Sequence, residues 1–165
     1  VQAFIQTMKD NGVSAKILQA VDDVNDEQKS SLLPKIKNLV GDLKNKKIAI
    51  WGLAFKPKTD DMREAPSLVI IDQVQKEGAF VKAFDPVAKD NAQKTIKDIE
   101  FGDDPYDTIK GSDCLVIVTE WDEFRELDFK KAKSLMNSPN IVDGRNVYEP
   151  ETMKDLGFNY IGVGR

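Results

Sequence analysis

Histidine is absent from these 165 residues, and cysteine occurs once, at Cys114. Without imidazoles or a cysteine cluster the usual zinc and iron sites cannot be assembled, and a lone thiol excludes an internal disulfide. No stretch approaches the roughly 18 consecutive apolar residues of a membrane span. The opening "VQAFIQTMKD" also lacks the basic-then-apolar order of a secretion signal, so the chain is expected in the cytoplasm, away from membranes. Positive charge is in short supply: 24 Lys and Arg stand against 28 Asp and Glu, a formal net charge of -4. That balance argues against a nucleic-acid partner while leaving room for a local basic pocket. A start at Val1 rather than Met is expected of a piece of a longer protein.

What remains is ordinary for a globular chain: 41% hydrophobic and 32% charged residues suit one α/β-sized domain with an attached helical arm. From Ser14 the apolar positions Ile17, Leu18, Val21 and Val24, then Leu32, Ile36, Leu39 and Val40, recur at three- and four-residue steps. That is the period of an amphipathic helix, predicted to run from Ser14 to Leu33 over about 30 Å, with Pro34 kinking or restarting it. Residues 1–45 are assigned to this arm and residues 46–165 to the domain. Beyond Lys46, short apolar runs alternate with helical stretches. Strands are predicted at 47–52, 80–85, 99–102, 114–119, 140–144 and 159–164. Helices are predicted in "SLVIIDQVQKEG", capped by Ser67 and ended by Gly78, and in "AKDNAQKTIK", "DPYDTIKG", "DEFRELDFKKAKSLM" and "EPETMKDLG". Apolar strands separated by helices predict a doubly wound, mostly parallel Rossmann-like sheet with helices on both faces.

In such a sheet ligands bind beyond the carboxyl ends of the strands. The loops to inspect are Leu53 to Glu64, Asp85-Pro86, Glu120-Trp121 and Gly144-Arg145-Asn146. The first carries Lys56, Lys58 and Arg63, and Arg145 sits in the last, so the expected ligand is anionic, with phosphate the leading choice. Plain alternatives exist for each feature. A charged loop is most often solvated surface. Asp60-Asp61 could bind a metal, but adjacent carboxylates more often pair with nearby cations or cap a helix. Asp85 stands where dinucleotide-binding folds keep an acidic residue for ribose, yet "DP" is also an ordinary turn. The first turn has only Gly52 in place of G-x-G-x-x-G, so it is not expected to hold NAD. Cys114 reads as a small core hydrophobe, and Trp51 as core, while Trp121 could stack on a base. No catalytic residue and no metal ligand set is assigned, which leaves the binding half of a site.

The segments "GLAFKPKTDDMREAPS", "VKAFDP", "VIVTEWDEF" and "IVDGRN", in this order, resemble the C-terminal, UDP-binding domain of the UDP-glucose/GDP-mannose dehydrogenase family. The earlier "ILQAVDDVNDEQKSSLLPKI" is similar to the long central helix of that family, which forms its dimer interface. The resemblance implies a four-electron oxidation of UDP-glucose to UDP-glucuronate with two NAD and a catalytic cysteine passing through a thiohemiacetal and a thioester. That cysteine, its partner lysine and aspartate, and the fold that holds NAD belong upstream of these residues, so this chain alone is expected to be inactive. It also implies that Phe55, Lys56 and Arg145 contact the nucleotide-sugar, that Arg63 reaches toward NAD, and that the N-terminal helix makes a homodimer. The wording fits the UDP-glucose members best. GDP-mannose and UDP-N-acetylmannosamine members share the scaffold, and a non-catalytic nucleotide-binding module or an oligomerisation module remain as other readings.

Overall fold

A computed structural model describes residues 1–165. They form two compact units, 1–31 and 32–165. In the first, α1 (Gln2–Asp10) packs on α2 (Lys16–Ser30). In place of one long helix to Leu33, α2 stops at Ser30 and α3 (Leu32–Val40) begins anew. Pro34 is the reason. In a continuous helix it would offer no N–H to the Ser30 carbonyl and its ring would press on that carbonyl. The break instead falls upstream, where both the N–H (3.2 Å) and the hydroxyl (2.8 Å) of Ser31 donate to the Gln28 carbonyl. Pro34 is left in the first turn of α3, where a missing N–H is no loss.

The apolar stripe divides at the same place. Leu32 and Ile36 on α3 are buried in the core of the second unit. Ile17 on α2, by contrast, is 81% exposed, and Val21 and Val24 are exposed too. The helix that periodicity joined to the arm therefore packs against the sheet of the α/β unit.

That unit contains six strands, β1 (Lys47–Trp51), β2 (Phe80–Phe84), β3 (Glu100–Phe101), β4 (Cys114–Ile117), β5 (Asn140–Asp143) and β6 (Asn159–Gly162). All pair in parallel, in the order β3-β2-β1-β4-β5-β6. Each predicted strand is present, shorter than expected mostly where the chain leaves the pleat for its loop. This is the Rossmann-like arrangement, with the topological switch point between β1 and β4. Alternation along the strands builds two cores. Ile48, Ile50, Val81, Cys114, Val116 and Val142 face one side, where α3 and α4 (Pro66–Lys76) lie. Ala49, Trp51, Leu115, Ile117 and Ile141 face the other. There they meet residues of α6 (Pro105–Ile109), α7 (Phe129–Leu135) and α8 (Pro150–Asp155).

Local chemistry sets several helix ends. Gly78, at φ +84°, ends α4: its N–H bonds the Gln75 carbonyl at 2.9 Å and the Ala79 N–H bonds Val74 at 3.1 Å, a Schellman closure. Ser67 does not cap α4. Pro66 opens the helix, and Ser67 is buried inside it with its hydroxyl donating to the Leu53 carbonyl at 2.6 Å. The stretch "DEFRELDFKKAKSLM" is not one helix but a 3-10 turn at Asp122–Glu126 followed by α7. The boundary is Asp128, whose carboxylate accepts the N–H groups of Lys130 and Lys131 at 2.9 and 3.1 Å. Between α4 and β3 lies the short α5 (Lys89–Thr95). No helix is long and apolar enough to cross a membrane.

The chain leaves β1 through Gly52, at φ +88°, pressed against Thr119 beyond β4. A Cβ at this position would lie 2.6 Å from the Thr119 backbone nitrogen, so neither the dihedral nor the space admits a side chain. Gly52→Ala is expected to destabilise the domain by about 2 kcal/mol or more in urea unfolding. An unchanged midpoint would show that β1 and β4 can part at this point without penalty.

Candidate functional site

The carboxyl ends of β1, β2, β4 and β5 release their loops toward one end of the sheet, and two buried aspartates shape those loops. Asp85, just past β2, accepts the N–H groups of Leu53 (2.7 Å) and Ala54 (3.0 Å) and the indole N–H of Trp121 (3.1 Å) on one oxygen. Its other oxygen takes the N–H groups of Val87 (3.0 Å) and Ala88 (2.8 Å). Both oxygens are occupied, so Asp85 is a structural carboxylate and no ribose ligand. Asp143, at the end of β5, does the same for the next loop. Its Oδ1 accepts the Arg145 N–H at 2.9 Å, and its Oδ2 accepts the N–H groups of Val147 and Tyr148 at 2.7 and 3.2 Å. The Tyr160 hydroxyl also lies 2.9 Å from that Oδ2. Burial, the neighbouring Asp143 carboxylate and its hydrogen bond all push the Tyr160 phenol above its ordinary range.

Three consecutive residues after β4 then tie three loops together. Glu120 grips Arg145 through both carboxylate oxygens, one receiving Nε and the other Nη2 (2.8 Å). Trp121 reaches Asp85, and Asp122 lies 3.5 Å from the Lys58 ammonium at the tip of the β1 loop. Lys58 and Asp122 are both exposed, so their pairing adds little energy, but it marks where the loop tip lies. The partners of Lys58 and Arg145 are two residues apart, about 7 Å along the chain. The Arg145 guanidinium holds the Glu120 carboxyl below its usual range, and Glu120 in turn raises Arg145.

Phe55, Lys56 and Arg63 share the β1 loop, and Arg145 lies on the β5 loop. Phe55 and Lys56 lie in a loop closed by the Phe55 N–H on the Asp61 carbonyl at 2.9 Å, and Phe55 is 49% exposed although large and apolar. The link of Arg145 to the β1 loop is indirect, through Glu120 and the exposed Asp122–Lys58 pair. Arg63, its side chain 89% exposed, stacks its Nε and Nη2 on the Asp61 carboxylate, with Nη2 at 2.7 Å. The Arg63 contact holds Asp61 at a pKa of about 2. With Asn91 and Lys94, these residues line a separate cavity of about 620 Å³ that neither Lys56 nor Arg145 borders. Asp60 bonds Asn91 at 3.0 Å instead of bracing Lys58. No group of three metal-ligating side chains gathers anywhere in the chain.

Burial agrees with the core reading of Cys114 and removes Trp121 as a stacking candidate. Cys114 is fully buried at the head of β4, and desolvation pushes its thiol up to about 12, which leaves no thiolate at neutral pH. Trp121 is buried with its N–H on Asp85, so its ring is not free to stack on a base. Conversely, Glu120 was marked only as part of a loop, without its partner Arg145, and the role of Asp143 escaped the sequence reading. An acidic residue just after one apolar strand, facing a basic residue just after its neighbour, was the available signal. A dinucleotide does not fit the turn after β1, because the amides that would cradle its diphosphate already bond Asp85.

Comparison with known proteins now adds to this geometry. The sequence model described as UDP-glucose/GDP-mannose dehydrogenase family, UDP binding domain, matches residues 49–150. The chain belongs to the UDP-glucose/GDP-mannose dehydrogenase family. Within it, the chain is 42% identical to the UDP-glucose 6-dehydrogenase of Pseudomonas aeruginosa, over all of this chain and 38% of that protein. It is 39% identical to that of Rhizobium meliloti, over 99% of this chain and 38% of that one. A UDP-glucose dehydrogenase structure from Pyrobaculum islandicum superposes with a TM-score of 0.82 at 28% identity, covering 98% of this chain and 35% of that one. The chain thus spans 38% of the length of these curated relatives. The UDP binding match begins inside β1 and ends at Pro150, so it contains every loop tied by the 120–122 segment.

Replacing Asp85 with Ala leaves four backbone N–H groups and an indole without their acceptor. The expected loss is on the order of 3 kcal/mol or more, with Asp85→Asn intermediate, read as the midpoint of urea unfolding. A loss under about 1 kcal/mol would show that the loops are held by something else.

Proposed function

We propose that this chain is the nucleotide-sugar binding domain of an NAD-dependent UDP-glucose 6-dehydrogenase, an enzyme that oxidises UDP-glucose to UDP-glucuronate. The observation that carries the reading is the match of residues 49–150 to a UDP binding domain, a stretch in which the loops bearing Phe55, Lys56 and Arg145 leave the same end of the sheet. Lys56 and Arg145 supply charge-assisted hydrogen bonds to the diphosphate, each about 1.5 to 3 kcal/mol when well placed. Phe55 offers the large exposed apolar side chain beside them. The chain's own residues bind and orient the substrate, so that its oxidisable carbon is presented to groups outside this chain.

NAD is proposed to bind elsewhere in the whole enzyme, since the β1 turn here is closed by Asp85. Arg63 is the residue assigned to reach it. The separation of Arg63 from Arg145, each with its own carboxylate partner, supports two different anionic ligands. With Cys114 buried and protonated, the nucleophile also belongs outside this chain, and the chain by itself is proposed to be inactive. The exposed Ile17, Val21 and Val24 of α2 support a homodimer through the N-terminal helices.

Isothermal titration of the full-length protein with UDP, UDP-glucose and GDP-mannose at fixed salt tests the reading. Lys56→Ala and Arg145→Ala are each expected to weaken UDP-glucose binding about tenfold or more, without a matching fall in thermal midpoint. Unchanged affinity in both variants, or tighter binding of GDP-mannose than of UDP-glucose, would overturn it.

A further inference from the structure

We propose that Glu120 is a positioning residue for Arg145, holding the guanidinium by one edge so that its other edge is presented to a diphosphate. This rests on the nucleotide-sugar reading above.

A guanidinium has five N–H groups in one plane. Glu120 takes the Nε edge, using Nε–H and one N–H of Nη2. The two N–H groups of Nη1 and the second of Nη2 have no protein acceptor, and one N–H from each nitrogen makes the fork that pairs bidentately with phosphate oxygens. Nor is the pair a loose surface contact. The side chains of Arg145 and Glu120 are only 37% and 31% exposed. The Arg145 backbone N–H bonds the buried Asp143 at 2.9 Å, and the side chain of Trp121, next to Glu120, is fastened to the buried Asp85. A long side chain is thereby fixed before ligand arrives, so less rotamer freedom remains to be lost on binding.

The arrangement has a second consequence. The pair is close to neutral, so long-range attraction for any anion is weak, and affinity depends on filling the free edge correctly. A diphosphate, with oxygens on two phosphorus atoms for Arg145 and Lys56, gains more from this than a monophosphate does. Glu120 therefore contributes discrimination as well as strength, even though its own charge repels the ligand.

The two roles of a carboxylate beside a cation oppose each other, which makes the test decisive. If Glu120 only opposed the ligand's charge, removing it would tighten binding. Titrations with UDP and UMP compare the wild type with Glu120→Ala, Arg145→Ala and the double variant, in the full-length protein with thermal midpoints recorded. The expected result is a roughly fivefold to tenfold weaker UDP affinity in Glu120→Ala, a smaller preference for UDP over UMP, and no added effect of Glu120→Ala once Arg145 is Ala. Glu120→Gln, which can still accept one N–H, is expected to fall between. Tighter or unchanged UDP binding in Glu120→Ala, or an equal loss in the Arg145→Ala background, overturns the positioning role while leaving the binding reading intact. Failure of Arg145→Ala itself to weaken UDP binding sinks the underlying reading instead.

Discussion

The carboxylate of Asp85 accepts five hydrogen bonds within 3.1 Å, and the geometry of the loops after β1, β2 and β4 follows from it. A buried anion needs donors, and backbone amides supply them only if the chain bends to aim them inward. Leu53 and Ala54 therefore turn toward β2, Val87 and Ala88 turn back toward β1, and Trp121 is drawn across from β4. Thr119 and Ser67 complete the clasp, their hydroxyls donating to the Ala54 and Leu53 carbonyls at 2.6 Å each. The start of the charged loop is thus rigid on both its N–H and C=O sides, while the cationic part beyond Phe55 stays at the surface.

That clasp also explains how a domain with the strand order of a dinucleotide-binding fold does something other than hold a dinucleotide in its first turn. The usual device is a set of unpaired amides at a glycine-rich turn. Here the amides are satisfied by an internal carboxylate, so in the proposed reading recognition passes outward to side chains. Arg145, Lys56 and Arg63 are long and cationic, and the two arginines are each steadied by an acidic neighbour.

The sheet was legible because its signal is local: runs such as "KIAIW" and "CLVI" are apolar at successive positions, as strands covered on both faces must be. Gly78 was legible as a helix end for the same reason. Tertiary partners are what the sequence hid. Ser67 looks like a cap, but its hydroxyl answers a carbonyl in the β1 loop. Asp85 looks like a ribose ligand, and its five donors come from residues up to 36 positions away. The 14–40 stripe looked continuous because period alone cannot tell which helix face meets a sheet and which meets solvent; Pro34 carried the clue, but its effect lies at Ser31. In the charged loops the cations were visible, and so was the local pairing of an aspartate with Arg63, but the partner of Arg145 on another loop, Glu120, was not.

Backbone amide resonances followed by NMR during addition of UDP test most directly whether this clasped end of the sheet is the ligand site. The largest shifts are expected to cluster in residues 55–58, 120–122 and 144–146. Shifts concentrated instead at the smaller cavity of about 340 Å³ lined by Lys47, Lys82 and Lys110, or spread evenly over the surface, would contradict it.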